Sequence, residues 1–253
     1  MAARRRGAPI CDHRALPRLP VLVAFVLSAA AARAELLLQP FAADSALPPA
    51  PWHVAGLPQQ RKPFTRFSVV DLDGRRALRV ESNNSYGNLV HPLILPRPAV
   101  HLVWQWRVEQ LVEGADLRTR SRDDTALKVC VLFDLPLARV PFVERQLLRL
   151  IQAGSEEPLP GATVCYVWDN QLPVGSELAN AYTRRVRYLV LQSGTQHLHE
   201  WLPERRDVGA DFVRLFGEES RQPPPIVGIG IGADADNTHG HGLAHVADIA
   251  LEP

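Results

Sequence analysis

The sequence predicts an all-β protein, a single antiparallel β-sandwich with two short helical insertions. Three observations predict it. Short runs rich in Val, Tyr, Trp and Phe recur along the chain, bounded by Gly, Pro, Asp and Asn. Within them polar and apolar residues alternate with the period of two that a half-buried strand requires. No internal repeat and no alternation of strands with helices breaks the series, so a doubly wound parallel sheet is not indicated.

The elements follow in order. "FTRFSVV" and "RALRVES" flank "DLDGR", where Asp73-Gly74 marks a hairpin. "VHLVWQWRVEQ" alternates cleanly, with Leu102, Trp104, Trp106 and Val108 on one face and Arg107 and Glu109 on the other. In "TALKVCVLFDL" the apolar face is Leu127, Val129, Val131 and Phe133, and Lys128, Cys130 and Asp134 lie opposite. "PFVERQLLRLIQAG" reads as a helix, with Pro141 at its start and Gly154 at its stop. "ATVCYVWDN" sets Val164, Tyr166 and Trp168 against Cys165 and Asp169. "RVRYLVLQSG" sets Val186, Tyr188 and Val190 against Arg185, Arg187 and Ser193. "DVGADFVRLFGE" is a second, shorter helix ending at Gly217. "IVGIGIGA" carries Ile229 and Ile231 on one side and Gly228, Gly230, Gly232 and Asp234 on the other, and "AHVADIALE" closes the fold.

If these strands share a sheet, Arg107, Lys128, Asp134, Asp169, Arg187 and Asp234 line one polar surface. The glycines would leave room there, as where a ligand nears the backbone. The plainer reading is the solvated side of a sandwich.

The domain boundaries follow from composition. Residues 1–34 read as a cleavable signal peptide: arginines, then the apolar run Val21–Ala32, then Ala32-Arg33-Ala34 before Glu35. That run is shorter than the ~20 residues a spanning helix needs. The protein is therefore expected in the periplasm or outside the cell, with no transmembrane segment after cleavage. Residues 35–63 are a Pro-rich, irregular lead-in, and 64–253 form the sandwich. Residues 1–34 carry a net +5 of the chain's +1, which leaves −4 on the mature protein. Such a chain has no basic excess to neutralise a phosphate backbone, which argues against a nucleic-acid partner. Cys130 and Cys165 remain, in the matching contexts "KVCVLFD" and "TVCYVWD". In an oxidising compartment they are candidates for a disulfide; as buried thiols they would serve as small hydrophobes.

Three stretches carry candidate chemistry. "YVWDNQLPVGS" places Trp168, Asp169 and Asn170 where a strand meets a Pro-Gly loop. A flat ring beside planar polar groups suits a sugar; the same residues also suit an Asx-turn after a core Trp. With Arg107, Asp124, Lys128, Asp134 and Arg187 they are the ligand-binding candidates, and a glycan is the expected ligand. A hydrolase would need two carboxylates across a cleft, drawn from Asp124, Asp134, Asp169 and Glu109, and no spacing selects a pair. A scaffold of the cell envelope with no small ligand is the third reading. Lastly, "DADNTHGHGLAHVADI" offers Asp234, Asp236 and Asn237 as hard oxygen ligands for Ca²⁺, without the later Glu of an EF-hand. His239, His241 and His245 offer imidazoles to a transition metal. A polar hairpin explains the same stretch with no metal.

Taken together, "DDTALKVCVLFD", "CYVWDNQLPVG", "RRVRYLVLQSG", "ERRDVGADFVRLFGE" and "IGIGADADNT…HVADIAL" resemble an exported bacterial family, domain-of-unknown-function family 3047. The resemblance runs from Glu35 to the end and implies one all-β domain behind a signal peptide, with no assigned activity. Its pattern falls here on Trp106, Asp123, Asp124, Phe133, Asp134, Trp168, Asp169, Asn170, Ser193, Gly194, Asp207, Asp211, Phe216, Gly217, Asp234, Asp236, Asn237, Thr238 and Asp248, and leaves out the three histidines. The closing "VADIAL" also looks like the last strand of carbohydrate-binding jelly rolls, of the concanavalin or galactose-binding kind.

Overall fold

The computed structural model describes residues 1–2, 37–41, 45–57, 60–96, 100–153 and 159–253. The expected signal peptide, beyond Ala2, and the helix stop at Gly154 lie outside the described residues. The unit Leu36–Pro253 holds two packed sheets. In chain order its strands are β1 (His53–Ala55), β2 (Arg66–Leu72), β3 (Arg75–Asn83), β4 (Tyr86–Leu95), β5 (His101–Gln110), β6 (Thr125–Phe133), β7 (Ala162–Asp169), β8 (Glu177–Ala179), β9 (Val186–Ser193), β10 (Leu202–Asp207), β11 (Ile226–Asp234) and β12 (His241–Glu252). Helix α1 (Phe142–Ala153) precedes β7 and helix α2 (Val208–Phe216) precedes β11. The seven-stranded sheet runs β1-β4-β11-β6-β7-β9-β8 and the five-stranded sheet β10-β5-β12-β3-β2. The pairs are antiparallel except β7 with β9. There β8 carries the chain back before β9 begins, so β9 enters beside β7 in the same direction.

Local chemistry explains the joints. Asp73 and Gly74 both have positive φ, which makes the tight β2–β3 hairpin. Asp207 caps α2 by accepting a bond from Ala210 N at 2.9 Å. The helix stops at Gly217, where a Cβ would stand 2.4 Å from the Val213 carbonyl oxygen. Four aromatic side chains join the sheets: Trp104 stacks on Tyr166 at 5.2 Å and Trp106 meets Trp168 at 5.9 Å. All four are buried, so truncating one would cost roughly 3–5 kcal/mol. α2 closes one end: Phe212 packs on Phe133, and Asp211 accepts a bond from the Tyr166 hydroxyl and pairs with Arg206.

A smaller apolar cluster sits on the outer face of the seven-stranded sheet. It holds Leu117, Val167, Tyr188, Val190 and a disulfide between Cys130 and Cys165, which stand opposite each other on β6 and β7.

The structure departs from the sequence reading at three places. Asn88 and Pro92 disguise β4 in the sequence; Pro92 is exposed and lies beyond the three-residue ladder with β1, on a stretch whose outer side no described strand covers. The lead-in is less irregular than expected: it forms β1 and sends Leu38, Phe41 and Trp52 into the core. The faces of β9 are reversed. Leu189 and Leu191 join the inter-sheet core, and Tyr188 and Val190 point outward to the small cluster. Alternation alone could not choose, because this strand is apolar on both sides.

Candidate functional site

The site forms at the Asp234 end of the outer face of the seven-stranded sheet. β11 supplies Gly232, and a Cβ there would stand 2.2 Å from Asn88 Oδ1 and 3.0 Å from Lys128 Cε. Glycine thus lets Asn88 of β4 and Lys128 of β6 lie across the strand. Lys128 Nζ donates to Asp234 Oδ2 at 2.8 Å, and Thr125 N donates to the other oxygen at 2.9 Å. Both members of the pair are buried. Burial opposes the Lys128 charge, yet Asp234 beside it holds its pKa above the ordinary value. Burial also raises the Asp234 carboxyl, against the pull of Lys128. The Lys128 ammonium stands 5.4 Å over the Tyr86 ring, and Asn88 donates to the Tyr86 hydroxyl.

Asp123 completes the cluster. It is 4% exposed, and Asn180 Nδ2 donates to its Oδ2 at 2.5 Å. The other hydrogen of that amide goes to the Tyr188 hydroxyl at 2.8 Å. Oδ1 of Asp123 is buried with no hydrogen-bond partner. Burial and, next, the charge of Asp234 push the Asp123 carboxyl up from 3.8 to about 7.

Asp124 serves the fold instead. Its carboxylate accepts from the backbone N–H of Asn237 and Thr238, the Asn237 amide and the Thr238 hydroxyl, at 2.7–3.2 Å. It clamps the β11–β12 loop. The Tyr182 hydroxyl stands 3.0 Å from Asn237 Oδ1 and roofs this edge.

Of the ligand candidates, Lys128 alone sits in this cluster, joined by Asp234 from the metal candidates. Trp168 is 1% exposed in the core, its ring N–H donating to the Gly194 carbonyl, so it offers no face to a sugar. Asp169 caps its own turn through Gln171 N and Leu172 N, and Asn170 holds the Val112 carbonyl. Asp134 is exposed just past the opposite end of β6. Arg187, on the inner phase of β9, binds Glu219 and the Leu215 carbonyl and lies 4.1 Å over the Phe216 ring. It lines an open cavity of about 480 Å³ with Arg139, Glu144, Arg184 and Glu218. Arg107 and Glu109 belong to the other sheet. There Arg107 pairs with Asp73 and Glu109, and His199 Nδ1 meets Glu109 at 2.6 Å. The expectation of one polar surface fails because β5 pairs with β12 and β10, not with β6.

The metal candidates have protein partners. Asp234 is held by Lys128, Asp236 lies 3.3 Å from Lys62, and Asn237 binds the Asp124 carboxylate. His239, His241 and His245 turn toward Asn84, Glu81 and Glu109 respectively. Among the described residues no three His, Cys, Asp or Glu side chains are grouped to hold a metal ion.

Sequence reasoning missed Asn180 and Tyr188 and preferred Asp124 to Asp123. The two acids lie just before β6, outside any strand, so alternation does not tell which one turns toward the cluster.

A family model described as "Protein of unknown function (DUF3047)" matches residues 50–250. No curated protein matches the chain. Among solved structures, a family 12 xyloglucanase from Bacillus licheniformis in complex with ligand aligns with a TM-score of 0.39 at 7% identity, over 76% of this chain and 88% of that one. Trichoderma harzianum endoglucanase 3, from family GH12, aligns with a TM-score of 0.39 at 9% identity, over 81% and 99%.

Proposed function

The chain belongs to the DUF3047 family of unknown function, and for this member we propose that the Asp123 cluster binds a hydroxyl-rich ligand, a glycan. One observation carries the proposal: Asp123 Oδ1 is buried with no hydrogen-bond partner beside the outer face of the seven-stranded sheet, while its other oxygen accepts from Asn180. A lone buried acceptor costs about 1–3 kcal/mol, which a hydroxyl donor would recover. Asn180, Asn237 and Tyr182 lie beside it, and Asn88 and Tyr86 beside Lys128; these amides and phenols, partly buried or exposed, pair with hydroxyls as donors and acceptors. The test is calorimetric titration of oligosaccharides into the wild type and Asp123→Asn. Binding that weakens about 10- to 100-fold in the variant supports the proposal. Equal binding by both, or no binding to any oligosaccharide of a broad array, overturns it.

A second reading has its own support. A carboxyl at about 7 gives and takes a proton near neutral pH, as a general acid or base must. On this reading Asp123 protonates a departing sugar oxygen or deprotonates water. A glycosidase also requires a second carboxylate, and Asp234 is the acid whose charge Asp123 feels most. Release of reducing ends with a pH limb near 7, absent in Asp123→Asn, supports the enzyme; binding without release supports the module. The Arg-rich, apolar N-terminus and the Cys130–Cys165 disulfide support export. The mass of the mature protein tests this, with a first residue of Glu35 expected.

A further inference from the structure

Helix α1 is built unlike the rest of the fold. Phe142 is 67% exposed, Val143 77%, Leu147 46%, Leu150 74% and Ile151 38%, and Leu148 alone of the helix is buried. At about 100° per residue, Leu150, Val143, Leu147 and Ile151 form one stripe roughly 100° wide, and Phe142 lies about 80° beyond Leu150 with Gln146 between them. Leu147 and Ile151 edge a small pocket shared with Leu148 and Tyr182, whereas Val143 and Leu150 are the most exposed of the stripe. Exposed apolar patches of this kind mark interaction surfaces.

The charges are sorted as well. Glu144, the one acid of the helix, turns toward the body and pairs with Arg184 and Arg185. Arg145 and Arg149 stay on the flank next to Phe142, with the Arg145 guanidinium 5.9 Å over that ring. The outward surface of α1 thus presents Val143, Leu150 and Phe142 around Gln146, with positive charge beside them.

We propose that α1 lies in the headgroup plane of an anionic lipid bilayer and anchors the sandwich to a membrane surface. Charge and size choose this occupant. The basic flank matches an anionic surface, and an amphipathic helix with a basic polar side docks in this way. A 12-residue helix is about 18 Å long, too short to span a bilayer. It is also too small to supply the ~800 Å² per partner of a stable protein interface. Lipid binding sets no such minimum, since its strength scales with the apolar area inserted.

The test uses the chain from Glu35 onward, which keeps both sheets and the whole described core. It is sedimented with vesicles of phosphatidylcholine mixed with phosphatidylglycerol, and with vesicles of phosphatidylcholine alone. The expected result is binding to the anionic vesicles, weakened by salt and much weaker on the neutral ones. Val143→Glu/Leu150→Glu should lower it by roughly tenfold or more, and Arg145→Gln/Arg149→Gln should remove the preference for anionic lipid. All four side chains are at least partly exposed, so these variants leave the fold intact. No binding to either vesicle, or equal binding by Val143→Glu/Leu150→Glu, overturns the proposal. A wild-type dimer in solution that Val143→Glu/Leu150→Glu dissociates overturns it in favour of a second copy.

Discussion

The two outer faces of the sandwich carry similar residues in opposite electrical states. On the five-stranded sheet the charges pair while still partly exposed. Arg79 bonds Glu81 at 2.7 Å, Arg75 bonds Asp248 at 2.5 Å, and Arg107 bonds Glu109 at 2.6 Å. The Arg79 bond takes the Glu81 carboxyl down from 4.5 to about 2, and the partners of Glu109 overcome its partial burial and hold it below the usual range. On the seven-stranded sheet Asp123, Lys128 and Asp234 are all buried, and both carboxyls rise. Alternation along a strand says which residues leave the core. What lies over them afterwards decides whether a carboxylate is stabilised by a partner or strained by the loss of water.

Lys128→Met leaves Asp234 without its cation and should cost about 3–5 kcal/mol of stability in urea unfolding, while Lys128→Met/Asp234→Leu should recover most of it. Replacing Cys130 and Cys165 together by Ala opens a link between residues 35 apart on the same face, with an expected loss of about 3–4 kcal/mol. Asp123→Asn should move stability the other way. A carboxyl raised from 3.8 to about 7 on folding favours the native state fully below its unfolded value, and this contribution is lost as pH rises through 7. The variant should therefore gain on the order of 2 kcal/mol at about pH 8 and nothing near pH 4, read from melting curves. On the open face, Glu81→Gln should cost less than about 1 kcal/mol near neutral pH, and less in high salt. Glu81 is depressed on folding, so its contribution is present above 4.5 and fades as pH falls toward 2.

The sequence carried the layers of this molecule better than its site. Trp104, Trp106, Tyr166 and Trp168 recur at every second position of β5 and β7, and that period sets each pair on one face, which is the core face. The hairpin at Asp73-Gly74 and the two helices were equally local, since turn residues and caps declare themselves within a few positions. The cluster depends on contacts from far apart in the chain. Asn180 reaches Asp123 across 57 residues, and Lys128 reaches Asp234 across 106. Nothing local sets which sheet a strand joins, so Arg107 and Lys128 looked alike until pairing put them on opposite sides of the sandwich. Trp168 shows the converse limit: an aromatic beside Asp and Asn reads as a sugar platform, yet its phase made it a core residue.

Asp123 is an acid poised near neutrality in a buried polar cluster. Its carboxyl carbon can be followed by ¹³C NMR across the pH range, with Asp123→Asn to assign the signal. A midpoint near 7 is the predicted result. A midpoint in the ordinary carboxylate range near 3.8 would contradict the account.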